Sequence, residues 1–167
     1  PDKDYDNTQM LHLMHALLRN IEAFICYERF RVDQITVDLN LLGELRERQL
    51  DKYFSNTLLR ISNLQNKQQQ RNHHHLRQSY QLEVERFAFA EGKQRTAPLD
   101  LQGVSDALDT QYFAEKLRQS CLLLSRQTVY KIDYQPKMLE MVLQTVEEGG
   151  FLQYPAIAIY YYCYRAL

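Results

Sequence analysis

The sequence contains no tryptophan and is poor in the residues that form turns, with 5 glycines and 4 prolines among 167 residues. An all-β fold needs many turns, so this scarcity argues against one. The three cysteines, Cys26, Cys121 and Cys163, lie far apart in the sequence and form no CxxC pair. An odd number without a disulfide spacing predicts buried free thiols in a reducing compartment, the cytoplasm. No apolar run reaches about 18 residues, so no transmembrane helix is predicted.

Charge of one sign is also lacking, because the net charge is −1. The chain therefore has no overall field that would attract nucleic acid or anionic lipid. A length of 167 residues with 45% hydrophobic residues suffices for one domain with a core, and we interpret 1–167 as a single domain. The sequence begins without methionine and ends inside a helical pattern, so we expect it to be part of a longer chain.

A long amphipathic helix is predicted over 106–125, because its apolar residues recur at intervals of three and four. These residues are Leu108, Tyr112, Phe113, Leu117, Cys121 and Leu124. A second apolar set widens the surface and consists of Ala107, Ala114, Leu122 and Leu123. We therefore expect this helix to contact neighbours on two sides, as the middle helix of a packed array does.

Six further helices are predicted from the same spacing, with starts near residues 8, 34, 50, 76, 136 and 155. Asp33 is a candidate N-cap for the second helix, and Gly92 a candidate C-cap for the fourth. Pro136 and Pro155 suit the first positions of the last two helices. Polar connections are expected over 65–75, 93–103 and 127–135.

Short turns between helices make neighbours antiparallel, so the seven helices would form hairpins. Pairs beginning near residues 8, 50, 106 and 155 are separated by 42, 56 and 49 residues. Irregular periods of this length indicate hairpins stacked as an α-α superhelix, with a closed helical bundle as the alternative architecture.

Several segments resemble a group of uncharacterised bacterial α-helical repeat proteins of the tetratricopeptide-like class. The resemblance lies in RERQLDKYF, LRQSYQLEVERF, LDTQYFAEKLRQSCLLLSRQ and YPAIAIYYYCYRAL, and spans about residues 45–167. It implies an α-α superhelix with a role in protein interaction. It rests on helix-packing residues and implies no active residues.

Two groups of histidines are candidate metal ligands. His73, His74 and His75 are consecutive, so on a helix their side chains would point about 100° apart and would not converge on one ion. His12 and His15 share a helix face, and a metal-dependent enzyme using them is an alternative function. Neither group has a supporting motif such as HEXXH, so we predict no cofactor and no metal site.

No catalytic motif is present, because the serines lack a G-x-S-x-G elbow and no phosphate-binding glycine loop occurs. We therefore predict a protein that is not an enzyme. A nucleic-acid-binding regulatory domain is the first alternative, since Lys52, Asn56 and Arg60 share one face of a helix within a possible helix-turn-helix. The dispersed basic residues do not favour it.

Tyrosine is abundant, with 12 residues, and tyrosines with arginine and glutamine are typical of peptide-binding surfaces. We predict a non-catalytic scaffold or peptide-binding module with a protein or peptide partner, and neither nucleic acid nor membrane as a partner. The candidate binding residues are Tyr112, Arg118, Gln119, Tyr160 and Tyr164. The tyrosines would equally suit packing against a following helix.

Overall fold

A computed structural model describes residues 7–93, 100–131 and 136–166. Within these ranges it contains seven α-helices and no β-strand, which confirms the all-α prediction. The helices are α1 (Asn7–Arg31), α2 (Gln34–Glu47), α3 (Asp51–Lys67), α4 (His73–Lys93), α5 (Leu101–Tyr130), α6 (Leu139–Glu148) and α7 (Pro155–Ala166). A short 3-10 helix, Phe151–Gln153, precedes α7.

Side-chain caps determine where three of the helices begin. The Asp33 carboxylate accepts hydrogen bonds from the N–H groups of Ile35 and Thr36 at 3.1 and 3.4 Å, as predicted for the start of α2. Asn72 Oδ1 accepts from the N–H of His75 at 3.1 Å, so α4 begins at His73 and includes the three histidines. The connection between α3 and α4, predicted over 65–75, is therefore shorter and covers 68–72.

The bounds of α5 also differ from the prediction. Asp100 caps it by accepting from the N–H of Gly103 at 2.9 Å, so the helix begins at Leu101 rather than near residue 106. At the other end α5 continues to Tyr130, and Lys131 ends it in a left-handed conformation with φ 51°. The predicted connection from residue 127 was therefore too long, because the sequence offers no glycine or proline to mark the end.

The predicted end of α4 and the predicted start of α6 were also wrong. α4 passes through Gly92 and reaches Lys93, since a glycine near a helix end does not have to terminate it. α6 begins at Leu139 rather than Pro136, after Met138 with φ 64°. Pro155 begins α7 as predicted. Most of the predicted connection over 93–103 lies outside the described residues.

The helices enclose two hydrophobic clusters that meet at α4. The α2–α4 core contains the buried residues Ile35, Leu39, Leu42, Leu45, Phe54, Ile61 and Leu82. Within it the rings of Phe54 and Phe89 stack with centroids 4.0 Å apart. The α4–α7 core contains Leu76, Phe113, Ala114, Leu117, Leu139, Val142, Leu143, Val146, Ala156, Ile157 and Tyr161. Because α4 contributes to both clusters, it joins the two halves of the molecule.

The buried face of α5 is rotated from the one that its large apolar residues predict. Leu117 is fully buried as expected, whereas Leu108 and Tyr112 are 45% and 41% exposed. Ala114 and Ser120 are instead among the most buried residues, because small side chains allow neighbouring helices to approach the α5 backbone closely. α5 contacts α4, α6 and α7, as expected for a middle helix.

α1 lies outside both cores. None of its residues is buried, and its main contact is with α2. Its large apolar side chains are 41% to 67% exposed and comprise Met10, Leu11, Leu13, Met14, Leu17, Leu18, Ile21, Phe24, Ile25, Tyr27 and Phe30. A helical spacing typical of a core-facing helix is therefore present without a core against it.

Candidate functional site

Two of the predicted binding residues, Arg118 and Gln119, share one carboxylate on the surface of α5. Arg118 Nε and Nη2 donate to the two oxygens of Glu115 at 3.0 and 2.6 Å, and Gln119 Nε2 donates to Glu115 at 3.3 Å. The hydrogen bonds from Arg118 lower the pKa of Glu115 to about 2. The same pair raises the pKa of Arg118, so both groups are ionised at neutral pH.

Tyr160 on α7 lies beside the same part of α5. Its backbone carbonyl accepts a hydrogen bond from Cys121 Sγ at 3.2 Å, and its ring centroid is 6.4 Å from that of His73. Arg118, Cys121, Tyr160 and Cys163 line a shallow pocket of about 520 Å³ between α5 and α7. Arg118 and Tyr160 therefore lie at one pocket, whereas Gln119 hydrogen-bonds to Glu115 beside it, and the pocket has a mixed polar and aromatic character suited to a peptide.

Tyr112 and Tyr164 do not line this pocket. Tyr112 is 41% exposed, and its ring lies against that of its neighbour Phe113, with centroids 5.7 Å apart. Tyr164 is half-buried and packs on the α4–α7 core, one turn after Tyr160. The predicted five residues thus do not form one site.

The thiols have different environments. Cys121 is half-buried, whereas Cys26 and Cys163 are exposed, so the prediction of buried thiols was wrong for these two. Cys26 lies on the exposed helix α1, and Cys163 lies at the open pocket between α5 and α7. Burial raises the pKa of Cys121, with nearby Cys163 adding to the effect. The Cys121 thiol is therefore protonated at neutral pH, which is unfavourable for a nucleophile.

A groove of about 610 Å³ lies where α4, α5 and the turn before α7 meet. Its ionisable walls consist of Arg71, His75, Glu83, Arg86, Asp100, Asp106 and Tyr154. Arg86 Nη1 donates to Glu83 at 2.9 Å, and burial lowers the pKa of His75. Sequence spacing does not reveal this groove, because its walls come from three separate segments. Charges of both signs leave it without the uniform potential that a phosphate would need.

The histidines do not assemble a set of metal ligands in the part of the chain that the structure describes. His12 and His15 lie on α1, beside Arg19 in a shallow surface depression. The ring centroids of His73 and His74 are 4.1 Å apart. The ring of His75 is engaged elsewhere, with its Nδ1 atom 2.7 Å from Gln68 Oε1. Residues 7–93, 100–131 and 136–166 contain no group of three or more His, Cys, Asp or Glu residues placed to hold a metal.

Arg60, which would belong to a recognition helix in the nucleic-acid alternative, has a structural partner. Its Nε and Nη2 atoms donate to the two oxygens of Asp38 at 2.7 and 2.8 Å, and Asp38 is 1% exposed. This bidentate pair compensates the buried carboxylate and joins α3 to α2. The guanidinium is thereby held in a contact that competes with binding to DNA bases or phosphates.

A row of exposed apolar side chains runs along α1. We call it the α1 stripe, and it consists of Met10, Leu11, Met14, Leu17, Leu18, Ile21, Phe24 and Ile25. At 100° per residue these eight side chains lie within an arc of about 140° of the helix circumference. The sequence shows the stripe, but it cannot show that the other described helices, α2 to α7, leave it exposed.

The sequence matches no protein-family model, no curated protein and no solved structure.

Proposed function

We propose that the protein is a non-catalytic protein-interaction module and that the α1 stripe is its principal binding surface. The observation that carries this proposal is a 25-residue helix with no buried residue and a continuous row of exposed apolar side chains. Contiguous apolar patches of more than a few hundred Å² on a soluble protein mark interaction sites. The stripe meets this condition, since each of its residues is at least 42% exposed.

The body of the molecule supports a scaffold of stacked helical hairpins. The most extensive packing is of α2 on α3, α4 on α5 and α5 on α7, rather than within the hairpins α1–α2, α3–α4 and α5–α6 that the sequence predicts, and α2 also contacts α4. Contacts between neighbouring hairpins are what an α-α superhelix of the tetratricopeptide-like class requires. We therefore favour this arrangement over a closed bundle, with α1 at its outer end.

A protein partner fits the α1 stripe better than a lipid surface does. Helices that lie on membranes have a strongly basic polar face. On α1, Arg19, Arg29 and Arg31 are offset by Glu22 and Glu28, so the polar side has little net charge. Spanning a membrane is a separate matter, and no helix among residues 7–93, 100–131 and 136–166 is long and apolar enough for it.

The pocket between α5 and α7 supports binding rather than catalysis. The Arg118–Glu115 pair satisfies both charges, and the raised pKa of Cys121 disfavours the thiolate form of that residue. This pocket, with Tyr160 at its edge, is a secondary surface for a peptide.

Capture of partners from a cell lysate tests the principal surface. The bait variants are Leu17→Glu with Leu18→Glu on the stripe, and Tyr160→Ala with Tyr164→Ala on α7. We expect the wild type and the α7 variant to retain the same protein, and the stripe variant to lose it. Equal capture by the stripe variant and the wild type would contradict the assignment, and loss in the α7 variant alone would transfer the function to the pocket between α5 and α7.

A further inference from the structure

We propose that the α1 stripe binds the α1 stripe of a second copy of this chain, with the two helices antiparallel about a twofold axis between Leu17 and Leu18. This inference rests on the proposed function, because it names the partner of the same surface. It makes the protein an isologous homodimer, in which one patch contacts its own copy.

The spacing of the stripe is the first argument for a second copy. Its residues follow one another at intervals of 1, 3, 3, 1, 3, 3 and 1, which is the same sequence of intervals in either direction. An antiparallel pair therefore places Met10 opposite Ile25 and Met14 opposite Ile21 of the partner, with Leu17 and Leu18 at the centre. Every stripe residue then meets a stripe residue, as a self-complementary surface requires.

The exposed area is sufficient for a stable dimer. At roughly 100 Å² of apolar surface for each large side chain, the eight residues offer on the order of 800 Å² per copy, the area of a standard protein interface on one partner. A helix of 25 residues is about 37 Å long, so the stripe can be covered along its whole length by another α1.

The charges on α1 favour the antiparallel orientation. Arg29 and Arg31 lie in the last turn, and the first half of the helix, 7–18, carries no acidic or basic residue other than His12 and His15. Parallel pairing would place the arginines of both copies together. Antiparallel pairing separates them by most of the helix length and sets opposite ends of the two helix dipoles side by side.

The oligomeric state of the chain, measured by sedimentation equilibrium over a wide concentration range, tests the proposal. We expect a reversible dimer for the wild type and a monomer for Leu17→Glu with Leu18→Glu, which brings four carboxylates together at the twofold axis. The matched control is Ala16→Glu with Ala23→Glu, which adds the same charge on the opposite face of α1. It should remain a dimer. All four positions are exposed, so circular dichroism should show unchanged helix content in both variants.

Oxidative cross-linking tests the orientation in a background with Cys26, Cys121 and Cys163 replaced by serine. Met14→Cys mixed with Ile21→Cys should give a cross-linked heterodimer, whereas Met14→Cys alone should give little cross-linking. The reverse result would indicate a parallel pair and overturn the antiparallel arrangement.

The outcomes separate this inference from the proposed function. A wild type that stays monomeric at the highest concentration overturns the homodimer. If that monomer still captures a protein in a stripe-dependent manner, the interaction module stands with a different partner. A monomer that captures nothing, or that binds vesicles of neutral or anionic lipid through the stripe, overturns both proposals.

Discussion

α1 and α5 share an apolar spacing of three and four residues but lie in opposite environments. They are 25 and 30 residues long, and both carry apolar residues at intervals of three and four. Yet Leu17 in α1 is 60% exposed, whereas Leu117 in α5 is fully buried. The difference arises from the neighbours, because α5 contacts α4, α6 and α7 while α1 contacts mainly α2.

This difference shows that an amphipathic pattern predicts a helix that needs a partner, without stating where the partner is. For α5 the partners come from the same domain, so its apolar residues stabilise the fold. For α1 the stripe is exposed, so burying it beneath a partner would be favourable.

Replacing one leucine by alanine in each helix should separate these roles most clearly. Leu117→Ala should lower the free energy of unfolding by about 2–5 kcal/mol, because it leaves a cavity in the α4–α7 core. Leu13→Ala, on exposed α1, should change it by no more than about 0.5 kcal/mol. Urea denaturation at concentrations that keep the chain monomeric measures both. A loss below about 1 kcal/mol for Leu117→Ala would contradict the burial of Leu117 in the α4–α7 core.

Enlarging an alanine is a complementary test of close packing. Ala114 is fully buried, so Ala114→Leu should destabilise the fold by about 1–3 kcal/mol through overpacking. Ala16→Leu on exposed α1 is the matched control and should have little effect. Similar unfolding midpoints for the two variants would show that α5 has room at residue 114.

Removal of residues 1–31 should have a smaller effect on the rest of the domain. Since no residue of α1 is buried, the remaining chain should lose less than about 1 kcal/mol of stability under monomeric conditions. Thermal unfolding followed by circular dichroism measures this. A much larger loss would indicate that α1 packs on the body of the molecule and is not reserved for a partner.

The smallest effect is expected at the α5 surface. Arg118→Gln removes the hydrogen bonds that hold the pKa of Glu115 at about 2, so this pKa should rise towards 4.5. Because the folded pKa is the lower one, the pair stabilises the fold above about pH 4.5 and loses this contribution as the pH falls towards 2. NMR titration of the Glu115 carboxyl measures the shift, and Gln119→Ala should give a smaller one.

Solvent screens the Arg118–Glu115 ion pair, which limits its effect on the free energy of unfolding. The Glu115 side chain is 44% exposed, so solvent weakens the interaction and the acid unfolding midpoint should move little. An unchanged Glu115 pKa in the arginine variant would contradict the pairing.

The helices themselves were predictable, because periodicity and caps are local properties. Asp33 was recognisable as a cap from its position before an apolar period, and Pro155 as a helix start. Asn72 was missed because polar residues follow it as well as precede it, and the histidines gave no apolar signal for the first turn of α4. The left-handed Lys131 left no trace in the sequence, since its conformation is rare for any residue other than glycine.

The candidate site was predictable only in part, because it depends on how helices approach one another. Arg118 and Gln119 are adjacent in the sequence, but only Arg118 lines the pocket with Tyr160, through the packing of α7 on α5. Tyr112 shares a helix with Arg118 but faces elsewhere, which shows that residue type alone does not select a surface. Ala114 and Ser120 were undervalued because small residues carry a weak hydrophobic signal, although they decide which face of α5 is buried.

α4 has one further consequence for how the molecule unfolds. It supplies Leu76 to one hydrophobic cluster and Leu82 to the other, so loss of this helix opens both. We therefore expect the two halves to melt in a single cooperative transition, and neither half expressed without α4 to retain a closed core. A protein cut within α4 should lose its structure as a whole, because both hydrophobic clusters depend on this helix.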